Sequence, residues 1–166
     1  MSKYKITKSK AIKTKNAWFS SLLVEIDSNI GKIQILNLHL RPALSRTGVS
    51  FKALFNNAQI HQQELNEILA KVYKITKRKP HFIVGDFNEN EQGQAFLNLL
   101  NQGYKDALSL FDDYSETWQW SLFLGLKLRD RYDHILVNLE FICIDAKVTQ
   151  LKASDHFPVI AVIKNN

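Results

Sequence analysis

The sequence is poor in the residues that punctuate or cross-link a chain, with one cysteine, three prolines and six glycines among 166 residues. Cys143 cannot form a disulfide within the chain, and its apolar context FICID is typical of a small buried hydrophobe. The sequence also lacks internal repeats, low-complexity tracts and a domain linker. No apolar run approaches the ~20 residues that a membrane-spanning helix needs, which argues against a transmembrane segment.

Acidic residues are missing from the whole segment before Glu25. That segment contains six lysines, namely Lys3, Lys5, Lys8, Lys10, Lys13 and Lys15. The remaining basic and acidic residues balance, so these lysines account for the net charge of +6. Residues 1–16 are therefore predicted to be one of two things. They form either an arm that binds nucleic-acid phosphates in a salt-dependent way or an edge strand whose lysines discourage pairing with other chains.

The composition is that of a soluble globular protein, with 45% hydrophobic and 23% charged residues. At this length we expect one domain over residues 1–166 that buries roughly 70% of the surface of its unfolded chain. The Lys-rich N-terminus lacks the continuous apolar stretch of a secretory signal, so we expect a cytoplasmic protein.

Apolar periodicity predicts the elements of the first half of the chain. Residues 17–27 and 32–40 are predicted to be the two strands of a hairpin, because the turn-forming sequence DSNIG separates them. Apolar residues recur at three- and four-residue intervals from Phe51 to Val72. This spacing predicts one long amphipathic helix that ends before Pro80.

The second half alternates between helix and strand. HFIVGDFN is predicted to be a short buried strand that leads into a polar turn, and a helix near 92–102 is predicted to end at Gly103. β-Branched and aromatic residues then predict further strands at 117–121, 132–137, 140–144 and 157–163. This order of elements predicts an α/β layered fold with helices packed outside the sheets.

Polar residues stand at the ends of apolar runs, first in the string GDFN at 85–88. Gly85 permits a sharp departure from the strand, and the side chains of Asp86 and Asn88 project to one side if the chain stays extended. The carboxylate can orient or deprotonate a water, while the amide can steady that water or a phosphoryl oxygen. The string suits phosphoester hydrolysis, although its residues are also ordinary in turns.

A second polar string, SDHFPV at 154–159, opens the last predicted strand. Pro158 is tolerated near the start or edge of a strand. Where the chain enters that strand, Asp155 can bind a hard cation and His156 can contact a phosphate. The alternative interpretation is a capping aspartate beside a surface histidine.

Two further residues suit the same site. Alternation in KIQILNLHL places His39 at the polar end of one strand face, just before Arg41. In YDHILV, Asp133 enters an apolar run and needs a partner. The imidazole of His156 is a natural partner, because a carboxylate fixes the tautomer of such a histidine in hydrolase triads.

The other three histidines lack this context. His61 lies on the apolar stripe of the long helix, so we interpret it as a packed, hydrogen-bonded side chain and not as a ligand. His81 and His134 are interpreted as structural or exposed.

The strings NLHL, GDFN, TW at 117–118, YDHILV and SDHFPV, in this order and at this spacing, resemble the second half of the endonuclease/exonuclease/phosphatase family. The resemblance spans residues 17–163. It implies a four-layered αββα sandwich, Mg2+-dependent or Mn2+-dependent cleavage of a phosphoester, and a site at the strand ends of both sheets.

The resemblance also implies roles for individual residues. Asp86 matches the family's water-activating carboxylate, and Asn88 matches its water- or phosphate-orienting amide. His156 matches the phosphate-contacting imidazole, and Asp133 matches the acid that supports it. Asp155 matches a metal ligand.

Further residues are assigned in the same way. His39 matches the histidine used by the deoxyribonuclease-like branch of the family. Arg41 and Arg46 are predicted to face the phosphate pocket. Trp118 occupies an aromatic position where packing is favoured over substrate stacking.

The metal side departs from the family pattern. Family members begin with strands that carry an Asn and then a metal-binding Glu, and neither string precedes residue 17. We therefore expect an N-terminally incomplete sandwich in which Asp155 and Asp86 hold Mg2+ or Mn2+ weakly. Glu25 or Glu89 can in principle act as a substitute carboxylate, although nothing in their spacing requires it. We expect a homo-oligomer or a missing N-terminal segment to cover the exposed edge or face.

Two functions follow as expectations. The first is a metal-dependent phosphoesterase, similar to phosphodiesterases and nucleases, that acts on a nucleic acid, a phospholipid or an inositol phosphate. The second is a catalytically inactive family remnant that binds an anionic ligand or a partner protein. Loops 41–50 and 121–130 are expected to set specificity. The apolar part of the second loop suits contact with lipid or a partner, or half of a buried hairpin.

Overall fold

A computed structural model of the chain describes residues 2–15, 17–42, 44–45, 48–49, 51–121, 123–151 and 153–166, with the side chains of 44–45, 48–49, 51–57 and 123 excepted. Its elements are β1 (Lys5–Ile12), β2 (Ser21–Ser28), β3 (Gly31–His39), β4 (Leu44–Ser45), β5 (Gly48–Val49), α1 (Phe51–Thr76), β6 (Phe82–Asp86), α2 (Gln94–Asn101), β7 (Lys105–Asp106), β8 (Trp118–Ser121), β9 (Lys127–Asp130), β10 (Asp133–Val137), β11 (Phe141–Val148) and β12 (Val159–Asn165).

The main sheet has six strands in the order β1-β2-β3-β6-β10-β7. Strands β3 and β6 run parallel because α1 crosses between them, and the other neighbours are antiparallel. In this register His39 pairs with Asp86, and Asp86 pairs with Asp133. The last residues of β1, β3 and β6 therefore meet the first residues of β2 and β10 at one edge, which we call the polar edge.

Both helices pack on one face of this sheet. Leu65 and Ile68 of α1 and Leu99 of α2 are buried in one apolar cluster with Leu36 and Ile83 of the sheet. The apolar spacing in the sequence explains this packing, because residues three and four positions apart lie on one side of a helix and form its buried face.

The antiparallel pair β11–β12 covers the opposite face of the sheet. Its Cys143 and Ala146 pack with Phe82 and Val137 in a second apolar cluster. The outward side chains of this pair stay exposed, and they are Ile142, Ile144, Ile160 and Val162. The predicted layered α/β architecture is thus confirmed, and Cys143 is buried as predicted.

Most predicted elements are found at nearly the expected positions, including the hairpin, the long helix and the helix that ends at Gly103, whose φ is +95°. The strand predicted at 17–27 begins later, at Ser21. Of the two interpretations of residues 1–16, the structure shows an edge strand, β1, paired with β2. No helix in the described ranges is long and apolar enough to cross a membrane.

The apolar segment near 121–130 is a second difference. Its described residues form the turn and second strand of the β8–β9 hairpin, but three of its leucines are exposed. Leu124 is 85% exposed, Leu126 65% and Leu128 50%. The buried-hairpin interpretation of this segment is therefore wrong for these side chains.

Candidate active site

The strand β6 ends in a turn that requires positive φ angles at two residues, Gly85 and Asn88. Gly85 has a φ of +128°, and a Cβ at this position would collide with the carbonyl oxygen of Leu38 on the neighbouring strand. Asn88 also has a positive φ, +50°, a conformation that asparagine tolerates better than most residues. The sequence GDFN therefore folds into a sharp turn that presents Asp86 at the polar edge.

The carboxylate of Asp86 is held from within its own turn. Its Oδ1 accepts the backbone N–H of Asn88 at 2.8 Å, and its Oδ2 accepts the side-chain amide of Asn88 at 3.2 Å. The same amide nitrogen donates to the carbonyl oxygen of Leu40 at 2.9 Å. Burial raises the pKa of Asp86, the Asn88 N–H opposes this shift, and the charge of Asp133 adds to it. The result is a fixed carboxylate that is more basic than usual.

Two imidazoles flank this carboxylate. The Nε2 atom of His39 lies 3.4 Å from Oδ2 of Asp86, and Nε2 of His156 lies 3.9 Å from the same oxygen. The other ring nitrogen of His156, Nδ1, lies 2.8 Å from Oδ2 of Asp133. Because a carboxylate only accepts, His156 Nδ1 carries the proton of this bond and Nε2 faces Asp86. The hydrogen bond to Asp133 raises the pKa of His156 above that of an ordinary histidine.

Thr117 fixes the start of β10, a role that the string TW did not reveal. Its buried hydroxyl oxygen accepts the backbone N–H groups of Tyr132 and Asp133 at 3.0 and 2.9 Å. The ring of Trp118 packs against Tyr132, with centroids 5.1 Å apart. Trp118 also forms a backbone bridge with His156. These contacts place Asp133 and His156 side by side, and they make Trp118 a packing residue.

The structure brings five of the predicted site residues together at the polar edge: His39, Asp86, Asn88, Asp133 and His156. The side chain of Asp155 is exposed, and its charge contributes to the raised pKa of the adjacent His156. The backbone carbonyl of Asp155 accepts the N–H of Gln119 at 2.8 Å.

The residues present do not fit a divalent-metal site. Among the described residues, no group of three or more His, Cys, Asp or Glu side chains is placed to hold a metal ion. Mg2+ needs several oxygen ligands in near-octahedral geometry, and Asp86 with an exposed Asp155 does not supply them.

The two substitute carboxylates are committed elsewhere. Oε2 of Glu89 lies 3.1 Å from Nδ1 of His61, and its Oε1 accepts the N–H of Phe96 at 2.7 Å. Glu25 accepts the hydroxyl of Thr7 at 3.0 Å from a position in the middle of β2. Neither carboxylate is free to complete a metal site in this arrangement.

Arg41 lies at the polar edge, but its guanidinium stacks over the ring of Trp18. Its Cζ lies 4.7 Å from the centroid of Trp18, and its backbone N–H donates to Oε2 of Glu64 at 3.3 Å. The predicted role of Arg41 in the phosphate pocket stays a prediction. Arg46 lies outside the described residues.

The remaining histidines are structural, as predicted. His61 is buried between Glu89 and the carbonyl oxygen of Arg41, which is 2.6 Å from its Nε2. His81 is buried, and its Nδ1 accepts the N–H of Gln34. His134 is buried, and its Nε2 donates to the carbonyl oxygen of Glu89.

A cleft of about 530 Å3 opens beside the imidazole of His156. Asp133 and His156 form its polar side, and apolar residues such as Val84, Ile135 and Phe157 form its floor. The Asp133–His156 pair of the candidate site is thus accessible from the side of β11–β12.

Solved structures share this fold. The chain is similar to TDP2 from D. rerio complexed with single strand DNA product, with a TM-score of 0.69 and 18% identity over 97% of this chain and 68% of that one. It is similar to an endonuclease/exonuclease/phosphatase family protein from Leptotrichia buccalis, with a TM-score of 0.65 and 18% identity over 97% and 62% of the two chains. It is also similar to the human Nocturnin catalytic domain with bound sulfate anion, with a TM-score of 0.69 and 17% identity over 98% and 60%.

These likenesses define the class of the fold. The chain has an endonuclease/exonuclease/phosphatase-like fold, as the sequence motifs predicted, and it spans roughly two thirds of the length of those three structures. No protein-family model and no curated protein matches the chain.

Proposed function

We propose that the chain is a phosphoesterase domain in which a water molecule activated by Asp86 attacks the phosphorus of a phosphoester. One observation carries the proposal. Side chains from β3, β6, β10 and the segment before β12 converge on Asp86, with His39 at 3.4 Å and the Asp133-bound His156 at 3.9 Å. The likeness in fold to phosphoester-cleaving proteins supports it.

The roles follow from the contacts of each group. Asp86 accepts the proton of the attacking water, and its raised pKa makes it a stronger base. Asn88 holds this carboxylate and its own turn in place. The raised pKa of His156 favours its imidazolium form, which keeps one proton on Nδ1 for Asp133 and donates the other from Nε2 to a phosphoryl oxygen or to the leaving oxygen. His39 supplies a second imidazole beside the same phosphate.

The dependence on Mg2+ or Mn2+ remains a prediction from the family resemblance, with Asp155 and Asp86 as the predicted ligands, and these two carboxylates alone do not complete such a site. The substrate is a phosphoester of a nucleic acid, a phospholipid or an inositol phosphate. The TDP2 structure with a single-strand DNA product favours the first of these. A cytoplasmic location remains a prediction.

Hydrolysis of bis(p-nitrophenyl) phosphate tests the proposal. We expect the chain to release p-nitrophenol with Mg2+ or Mn2+ in the buffer, and we expect Asp86→Ala to lower the rate roughly 100-fold or more. Asp113→Ala, which removes an exposed aspartate, is the matched control and should keep the wild-type rate. Equal rates for wild type and Asp86→Ala would contradict the proposal, while a loss with Asp155→Ala would support a metal role for that residue.

A second function, a non-catalytic anion-binding domain, is favoured by one observation. The described side chains contain no group of three metal ligands. This function predicts no turnover with any divalent cation, together with amide shifts near His39 and His156 when inorganic pyrophosphate is added. An NMR spectrum unchanged by pyrophosphate would count against it.

A further inference from the structure

The connection between β1 and β2 lies at the polar edge. Ile12, at the end of β1, pairs with Ser21 at the start of β2. Leu22 in turn pairs with Asn37, two residues before His39. The described residues just before β2, 17–20, therefore lie beside the end of β3.

Two aromatic side chains in this connection contact site residues. The ring of Phe19 stacks on the imidazole of His39, with centroids 4.0 Å apart and planes inclined by 15°. The ring of Trp18 carries the guanidinium of Arg41 at 4.7 Å. Phe19 is 42% exposed and Trp18 is 44% exposed. Each ring is thus backed by a basic group and still offers much of its surface to solvent.

Basic side chains approach these rings along the chain. Lys10, Lys13 and Lys15 precede the aromatic pair and are exposed. A polyanion that enters along β1 would pass these ammonium groups before it reached the rings. The surface therefore combines planar apolar faces with positive charge, which is the usual composition of a single-strand-binding surface.

We infer that Trp18 and Phe19 form a stacking platform for the bases of a single-stranded nucleic acid. The inference rests on the proposed function, because it assumes that the phosphate next to a stacked base lies at Asp86. His39 links the two parts, since its ring face covers Phe19 while its Nε2 lies 3.4 Å from Asp86. A nucleotide can therefore stack on the platform and present its phosphate to the site.

The geometry favours a nucleic acid over the other two substrate classes. Every base has a flat π-face that can stack on an aromatic ring, and each stack contributes to affinity without sequence readout. Inositol phosphates and phospholipid headgroups carry no aromatic ring to stack. Arg41 and His39 each cover part of one ring, and the exposed remainder of Trp18 and Phe19 is available to a planar ligand.

Equilibrium binding of two oligomers tests the inference. The probes are an end-labelled oligothymidylate of about eight nucleotides, within the site sizes of single-strand-binding surfaces, and an abasic phosphodiester oligomer of equal length and charge. Fluorescence anisotropy with the full chain in EDTA reads binding without turnover. We expect the base-bearing oligomer to bind about ten-fold more tightly. Equal affinities, or no measurable binding of either oligomer, would overturn the inference.

Single substitutions test whether Trp18 and Phe19 are responsible for the base-dependent binding. Trp18→Leu and Phe19→Leu should each weaken binding of the oligothymidylate about ten-fold and leave the abasic oligomer unchanged. Trp18→Phe keeps a π-face and should restore most of the affinity. Tyr73→Leu is the matched control, because this ring is 58% exposed near the end of α1, away from the polar edge. Unchanged oligothymidylate binding in both leucine variants would refute the platform.

The outcome is separable from that of the proposed function. Base-dependent binding without hydrolysis of bis(p-nitrophenyl) phosphate would keep the platform and remove the phosphoesterase. Hydrolysis with base-independent binding would do the reverse. Sedimentation with phosphatidylserine/phosphatidylcholine vesicles covers the membrane alternative. Vesicle binding that Trp18→Leu abolishes, together with equal affinity for the two oligomers, would assign the rings to a lipid surface and overturn the inference.

Discussion

The Nδ1 atom of His156 lies 2.8 Å from Oδ2 of Asp133, although 23 positions separate the two residues in the chain. Asp133 opens β10, whereas His156 precedes β12, which belongs to the other sheet. The hydrogen bond therefore ties the two layers together at the polar edge. It also decides which nitrogen of the imidazole faces Asp86.

Asp133→Asn should lower the pKa of His156. The hydrogen bond to the Asp133 carboxylate is the largest cause of the raised pKa, and an amide provides no negative charge. The histidine would then lose its proton at lower pH than in wild type. An NMR titration of the imidazole carbon-bound protons measures this shift. Asp145→Asn, at an exposed position on β11, should leave the titration unchanged, and an equal or higher pKa in Asp133→Asn would contradict the role of this pair.

Gly85→Ala should destabilise the fold far more than Gly31→Ala. Both glycines have positive φ, but a Cβ at position 31 meets no atom within 4 Å, whereas at position 85 it meets the backbone of Leu38. We expect a loss of about 1 kcal/mol at Gly31 and of roughly 3 kcal/mol or more at Gly85, where strain and collision combine. Urea unfolding measures the stability of both variants. Similar losses of unfolding free energy would show that β3 can shift to accommodate the Cβ at position 85.

His61→Gln should remove a pH-dependent part of the stability. Both ring nitrogens of His61 face acceptors, Glu89 and the carbonyl oxygen of Arg41, and only the imidazolium form can donate to both of them. Burial alone would lower the pKa of His61, but these hydrogen bonds raise it overall.

The sign of this effect follows from linkage. A folded-state pKa above the unfolded value of about 6.5 gives stability that is complete below that pH and is lost as the pH rises through the folded-state pKa. The difference in unfolding free energy between wild type and His61→Gln should therefore be larger near pH ~6 than at higher pH. Denaturation curves at several pH values measure it. A difference that grows with pH would show that His61 is neutral in the folded chain.

Neutralising the lysines near the polar edge should weaken the salt dependence of single-strand binding. Deleting residues 1–15 is a poor test, because Ile12 is only 3% exposed in the apolar core. The triple change of Lys10, Lys13 and Lys15 to Gln keeps β1 intact. Each lost phosphate contact should reduce the slope of log K against log salt by about 0.7.

The matched control for this charge removal lies at the other end of the sheet. It changes Lys74, Lys77 and Lys79, at or after the end of α1, to Gln. This variant has the same net charge but should keep more of the wild-type slope. Identical slopes in the two variants would show that binding responds to net charge alone.

The sequence predicted the parts of the fold that depend on local pattern. The long helix follows from its apolar spacing, and Asp86 meets His39 because both end parallel strands at one edge. The start of β2 was misplaced because Trp18 and Phe19 have high strand propensity. Contacts with Arg41 and His39 hold these rings outside the strand, and such tertiary contacts leave no periodic signal in the sequence.

The role of Glu89 could not be decided from the sequence for the same reason, because its contacts are tertiary. Glu89 directly follows the GDFN string, and the sequence alone left open whether this carboxylate belongs to the site. Its oxygens are instead used by His61, far away in the chain, and by the N–H of Phe96 at the start of α2. Only the folded arrangement decides between these two uses of one acidic residue.

The parallel pairing of β3 with β6 also sets an order for folding. The β1–β2–β3 meander joins neighbours in sequence, whereas β6 reaches β3 only after the whole of α1 has formed a crossover. Closing so long a loop lowers the conformational entropy of the chain, so the contacts between β3 and β6 form late in folding. Pulse-labelling hydrogen exchange should therefore protect the amides between β2 and β3 before those between β3 and β6. During folding, the β2–β3 hairpin would therefore form before His39 and Asp86 come together.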